Sequence, residues 1–186
     1  TQGAKSEAPH LDYVAQTAWH LGTDLVNLGL GASCHCEPAL ADYIAGRDDW
    51  RIASLALCVN MLGFGLDEFY RRVEYMARTV AGTNPRRPVA CITLYPFRQD
   101  VLRHDPNVER NGTPEQYRQA LRDAVAACNL PNLQLIEGPD LLTNLGGLTN
   151  DLLHPSDNGM IEIGANLAAR LKPLLPRTAH RIRKDA

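Results

Sequence analysis

The chain has 186 residues, 45% hydrophobic and 22% charged, with a formal net charge of -2. That composition suits one soluble domain, residues 1–186, with enough chain to close a sizeable core. It excludes a basic surface for nucleic acid or an anionic membrane; no stretch is apolar enough to span a bilayer, and no signal peptide is visible.

Strand and helix signals alternate along the chain. Residues 10–21 predict a helix with Leu11, Val14, Ala15, Ala18 and Trp19 on one face, Trp19 being assigned to the core. Residues 24–28 form a short apolar strand signal that runs into the turn Gly29-Leu30-Gly31, and 37–45 a short helix. Residues 52–59 are almost entirely apolar, as expected of a strand covered on both faces, with Trp50 at its approach. A helix follows over 66–81 with Phe69, Val73, Met76, Ala77 and Val80 inward, then a strand over 88–94 stopped near Pro96. The charged segment 98–112 reads as a loop. Thr113-Pro114-Glu115-Gln116 carries an N-cap, a proline at N1 and a capping box, starting a helix that reaches Cys128. Residues 133–136 predict a fourth strand and 137–155 a second loop. Ser156 caps a last helix with Met160, Ile161, Leu167 and Leu171 inward. The basic run at 177–184 reads as a solvated terminus.

Strands alternating with helices imply a parallel sheet with helices on both faces, a three-layer α/β/α sandwich of flavodoxin-like kind. Ligands of such sheets bind beyond the carboxyl ends of the strands, and the polar residues of interest cluster there. Asp151-Leu152-Leu153-His154-Pro155 can bring a carboxylate to one imidazole nitrogen, fixing the tautomer and leaving the other nitrogen as a base. The same residues could simply make turn hydrogen bonds. Asn60, at the end of an apolar strand, could donate to an oxyanion or serve as a turn residue. The Gly-rich exit 27–33 could offer free N–H groups to an anion; it lacks the third glycine of a dinucleotide fingerprint and the lysine of a P-loop.

Five cysteines at irregular spacing (Cys34, Cys36, Cys58, Cys91 and Cys128) do not make a disulfide framework; buried, reduced thiols and a cytoplasmic location are expected. Cys34-His35-Cys36 is poorly spaced for a metal, and we read it as two thiols packed under a loop with His35 partly exposed. His10, His20, His104 and His180 read as surface residues. No metal or cofactor is expected, and the partner implied is a small-molecule substrate.

Together these elements resemble the SGNH (GDSL-type) hydrolases over essentially the whole chain. Asn27 to Ser33 resembles the family's second block, Cys58-Val59-Asn60 its third, and Asp151 to Pro155 its fifth. The resemblance implies serine-dependent hydrolysis of carboxylic esters. His154 would be the general base, Asp151 its orienting partner, Asn60 a side-chain oxyanion donor, and a backbone N–H at Gly31 or Ala32 the second donor. The family's glycine falls on Ala32, a tolerable departure if φ there is ordinary, and Cys58 stands for a glycine where it could crowd the site.

The first block departs most. Thr1-Gln2-Gly3-Ala4 resembles the segment just after the family's nucleophilic serine, which would then lie two residues upstream of Thr1, together with a central strand of the sheet. Within the chain, Ser33 and the N-terminal Thr1 are the alternative nucleophiles. Two further readings stay open: a non-catalytic acyl- or carbohydrate-binding protein on the same fold, and a flavodoxin-like nucleotide or flavin binder in which the Asp151–His154 pair would be idle.

Overall fold

The computed structural model describes residues 5–102 and 111–175. Three parallel strands, β1 (Ala53–Ala56), β2 (Val89–Ile92) and β3 (Leu133–Ile136), pair in the order β1-β2-β3, with Ala53 opposite Val89 and Val89 opposite Leu133. Six helices surround them: α1 (Tyr13–Leu21), α2 (Pro38–Gly46), α3 (Leu66–Gly82), the single turn α4 (Arg98–Val101), α5 (Pro114–Cys128) and α6 (Asp157–Leu171). α1 packs on α6, while α3 packs on both α2 and α5, so the sheet lies between two helical layers.

Local chemistry explains the helix ends. Asp12 caps α1 by accepting from Val14 N, and Gly22, at φ 63, closes it in the left-handed conformation that glycine tolerates. Thr113 Oγ1 accepts from Gln116 N while Gln116 Oε1 accepts from Thr113 N, the reciprocal box the sequence predicts. Ser156 caps α6 through Gly159 N. The apolar stripe of α3 is buried as expected, from Phe69 to Val80. On α6 the inward residues are Met160, Ile163, Leu167 and Leu171; Ile161, expected inward, is exposed because Ile163 takes the core-facing position of that turn.

Two expectations fail together. Residues 24–28 join no ladder among the described residues, so three strands stand where four were predicted, and Leu25 and Val26 are exposed. α1 buries Tyr13, Gln16 and Thr17 against α6, with Thr17 Oγ1 donating to Tyr13 O and Gly164 O. Its apolar face is only partly covered: Val14 and Leu21 pack against the core, whereas Trp19, expected there, is 76% exposed. A cleft of about 560 Å³ is lined by Val14, Ala18 and Leu21, by residues 24–29, and by β1 with its flanks. A ladder needs strands about 4.8 Å apart, and a cleft between two apolar segments keeps them beyond that reach. Among the described residues β1, expected to be covered on both faces, is an edge strand and only half-buried, whereas every residue of β2 is buried.

Candidate active site

The loop after β3 carries the Asp151–His154 pair. Asp151 Oδ2 lies 2.7 Å from His154 Nδ1. Its Oδ1 accepts from Thr149 Oγ1 at 2.8 Å, Leu153 N at 2.8 Å and His154 N at 2.9 Å. Burial alone would raise the Asp151 pKa, but the donors from His154, Leu153 and Thr149 outweigh it and hold the carboxyl well below the usual carboxylate range. An ionised Asp151 keeps the proton of neutral His154 on Nδ1. Nε2 is then the nitrogen left for proton transfer.

The surrounding backbone holds this loop in shape. Leu148 and Pro155 form an antiparallel bridge, Thr149 N donates to His154 O, and Ser156 donates to Gly147 O through both N and Oγ. A Cβ on Gly159 would fall on Gly147 O, so glycine is required where α6 crosses the loop. Leu152, between Asp and His, has φ 51. That left-handed turn is unfavourable for leucine, and it is held by Arg98, whose N donates to Leu152 O at 2.7 Å and whose Nη1 donates to Asp151 O.

Asn60 lies in the short turn after β1, also at the carboxyl edge. Its Nδ2 donates to Leu30 O at 3.2 Å, which brings Asn60 to the loop bearing Gly31 and Ala32. An amide nitrogen carries two hydrogens, and Leu30 O takes only one of them. Ala32 has φ 56, a correction to the tolerance expected of it: the site keeps the left-handed conformation that favours glycine, and alanine bears a strain of about 1 kcal/mol there. Cys58 is buried beside Arg118 and Leu94, and burial pushes its thiol up to about 12, an unreactive group in the core.

The other named residues fall into place around this edge. Ser33 is exposed and donates to Gly31 O. Cys34 and Cys36 are buried, with thiols pushed up by burial, and His35 sits against Phe64 with Nδ1 3.7 Å from Glu37. Trp50 donates to Ile44 O at the approach to β1. Thr1, His104 and His180 lie outside the described residues. Glu7 N donates to Asp157 Oδ1 at 3.0 Å, so the start of the described chain meets the first turn of α6, three residues past His154.

Three residues escaped sequence reasoning. Thr149 could have been found from its place two residues before Asp151, a spacing suited to side-chain turn bonds. Asp12 precedes an apolar helical run, an N-cap signal obscured by starting the helix at His10. Arg98 reaches a loop 53 residues away and leaves no local signal.

Residues 1–172 match the sequence profile of the GDSL-like lipase/acylhydrolase family. The chain belongs to that family. Solved structures of similar fold include a salicylyl-acyltransferase from a tetracycline biosynthetic pathway (TM-score 0.77, 18% identity, covering 93% of this chain and 51% of that one). A candidate GDSL-like lipase from Bacteroides ovatus has a TM-score of 0.75 at 20% identity, covering 91% of this chain and 49% of its own. A carbohydrate esterase family 3 protein from Talaromyces cellulolyticus has a TM-score of 0.55 at 18% identity, covering 74% and 66%. The chain thus spans about half the length of the first two. No curated protein sequence matches it significantly. Membership of the GDSL-like family accounts for the α/β sandwich, and among the described residues no helix is long and apolar enough to cross a membrane.

Proposed function

We propose that residues 1–186 are the greater part of a single serine ester hydrolase domain acting on small-molecule acyl or acetyl esters. The observation that carries this reading is the Asp151–His154 hydrogen bond at the sheet edge where Asn60 meets the Gly31–Ala32 loop. The nucleophilic serine is assigned to a strand upstream of Thr1 that would fill the cleft between β1 and residues 24–29. The edge of β1, unpaired among the described residues, the half-covered apolar face of α1 and the approach of Glu7 to α6 support that assignment.

In this mechanism the serine Oγ attacks the ester carbonyl and His154 Nε2 takes its proton. Asp151 stabilises the imidazolium. Asn60 Nδ2 and a backbone N–H at Gly31 or Ala32 hold the oxyanion. Collapse expels the alcohol, which receives the proton from Nε2; water, deprotonated by the same nitrogen, then releases the acid and restores the serine. These steps call for no metal or cofactor. The five cysteines are free and buried in the structure, which favours a reducing, cytoplasmic location.

The test is labelling with a fluorophosphonate, read by intact mass and peptide mapping, on the 186-residue chain and on the natural chain extended upstream of Thr1. The expected result is one adduct on an upstream serine in the extended chain, lost in His154→Ala, and none on the 186-residue chain. An adduct on Ser33 or Thr1 would move the nucleophile into this chain. A folded extended chain with no adduct would favour the non-catalytic binding protein.

A further inference from the structure

The loop proposed to hold the oxyanion is strained at Ala32 and exposed over most of residues 22–33. Such a loop keeps one shape only if its surroundings over-determine it. Asn60 pins it at Leu30 O and Ser33 at Gly31 O. The third pin, at its entrance, comes from outside the machinery described so far. Asn27 Oδ1 accepts from Gly29 N at 2.9 Å, and Asn27 Nδ2 donates to Asp12 Oδ2 at 3.1 Å. Asp12 Oδ1 accepts from Val14 N at 3.0 Å.

Direction is fixed at each step of this relay. Gly29 N can only donate, so Asn27 must present its oxygen to Gly29 and its NH2 to Asp12. Asp12 must in turn present acceptors on both sides. It is 7% exposed, and a buried carboxylate needs such donors. An N-cap of α1 would need only one oxygen; the other is spent on a residue fifteen positions away that opens the loop.

We propose that Asp12 is a positioning residue: it orients the Asn27 amide and thereby sets the conformation of the loop from Gly29 to Ala32 that presents the oxyanion N–H. The proposal rests on the hydrolase reading for its effect on turnover, but not for its effect on the loop. In Asp12→Asn the new NH2 meets that of Asn27, and turning either amide abandons the Val14 or the Gly29 hydrogen. In Asn27→Asp two carboxylates face each other. The double variant Asp12→Asn/Asn27→Asp restores these three bonds with the central one reversed: the amide introduced at position 12 would donate to the carboxylate introduced at position 27 while still accepting from Val14 N.

Two readouts test this. In the natural chain extended upstream of Thr1, hydrolysis of p-nitrophenyl acetate should lose about tenfold or more in kcat in each single variant, with KM nearly unchanged, and recover most of it in the double. In the 186-residue chain, hydrogen exchange at the Gly29 amide should quicken about tenfold in the single variants and slow again in the double. Folded single variants with unchanged kcat and unchanged Gly29 exchange would overturn the relay. So would a folded double variant that recovers neither, since Asp12 would then be no more than a helix cap. His154→Ala separates the two ideas. If it keeps its activity, the hydrolase reading fails while Gly29 exchange still decides the relay. If it loses activity while Asp12→Asn changes neither kcat nor Gly29 exchange, the relay alone fails.

Discussion

The loop bearing Asp151 and His154 and the loop bearing Gly31 and Ala32 meet the same sheet edge but are built in opposite ways. The first is closed mainly by contacts within ten residues of chain, with Arg98 as its one named distant brace: Thr149, Leu153 and His154 all donate to Asp151, and the Leu148–Pro155 bridge seals its base. The second depends on distant partners, with Asn60 thirty residues away at Leu30 and Asp12 fifteen residues away at Asn27. It also borders the cleft beside β1, whose outer edge carries no strand among the described residues. The hydrogen bonds of the Asp151 carboxylate are thus all made within a few residues of chain, whereas the loop bearing Gly31 and Ala32 takes its shape from the turn after β1 and the helix beside it.

If that contrast is right, perturbing the local loop should act through chemistry and perturbing the distant one through shape. The largest effect is expected at Asp151. Asp151→Asn should lower kcat of the active enzyme by about a thousandfold or more, because the wrong tautomer of His154 is then favoured. The same change tests the electrostatics. Asp151 has a folded pKa depressed below its unfolded value of about 3.9, so its contribution to stability is complete above that value and is lost as pH falls through the depressed one. Melting temperatures followed downward from about pH 4 should therefore fall less steeply in Asp151→Asn than in the native chain. Parallel curves would mean that the carboxylate gains nothing from its donors.

Asn60→Ala comes next. Loss of one oxyanion donor, and of the pin on Leu30, should cost about a hundredfold in kcat. An unchanged kcat would remove Asn60 from the oxyanion hole and leave it a loop brace. The smallest effect is at Ala32, where Gly removes the left-handed strain of the backbone. Thermal unfolding of Ala32→Gly should show a gain of up to about 1 kcal/mol with turnover kept. A loss of stability would mean that the methyl group has packing worth more than the strain.

Much of the fold was legible because its signals are short-range. The stripe of α3, the capping box at Thr113 and the Ser156 cap occur where local pattern places them, since each depends on side chains three or four residues apart. The apolar run at 24–28 carried a true hydrophobic signal and still formed no strand, because a strand is completed only by a neighbour at ladder distance. Trp19 failed for the same reason: its helical face is apolar, but α6 covers the face of Tyr13, Gln16 and Thr17 instead.

By itself the amino-acid sequence determined the alternation of β and α elements, the helix caps, and the Asp151-x-x-His154-Pro155 turn, all of them set by neighbours within one or two turns of chain. Tertiary structure alone decided that Ala32 is left-handed, that Arg98 braces Leu152 and that Asp12 reaches Asn27. Those depend on which surfaces meet, and a hydrogen bond between residues far apart in the chain has no counterpart in local pattern until packing brings its donor and acceptor within about 3 Å.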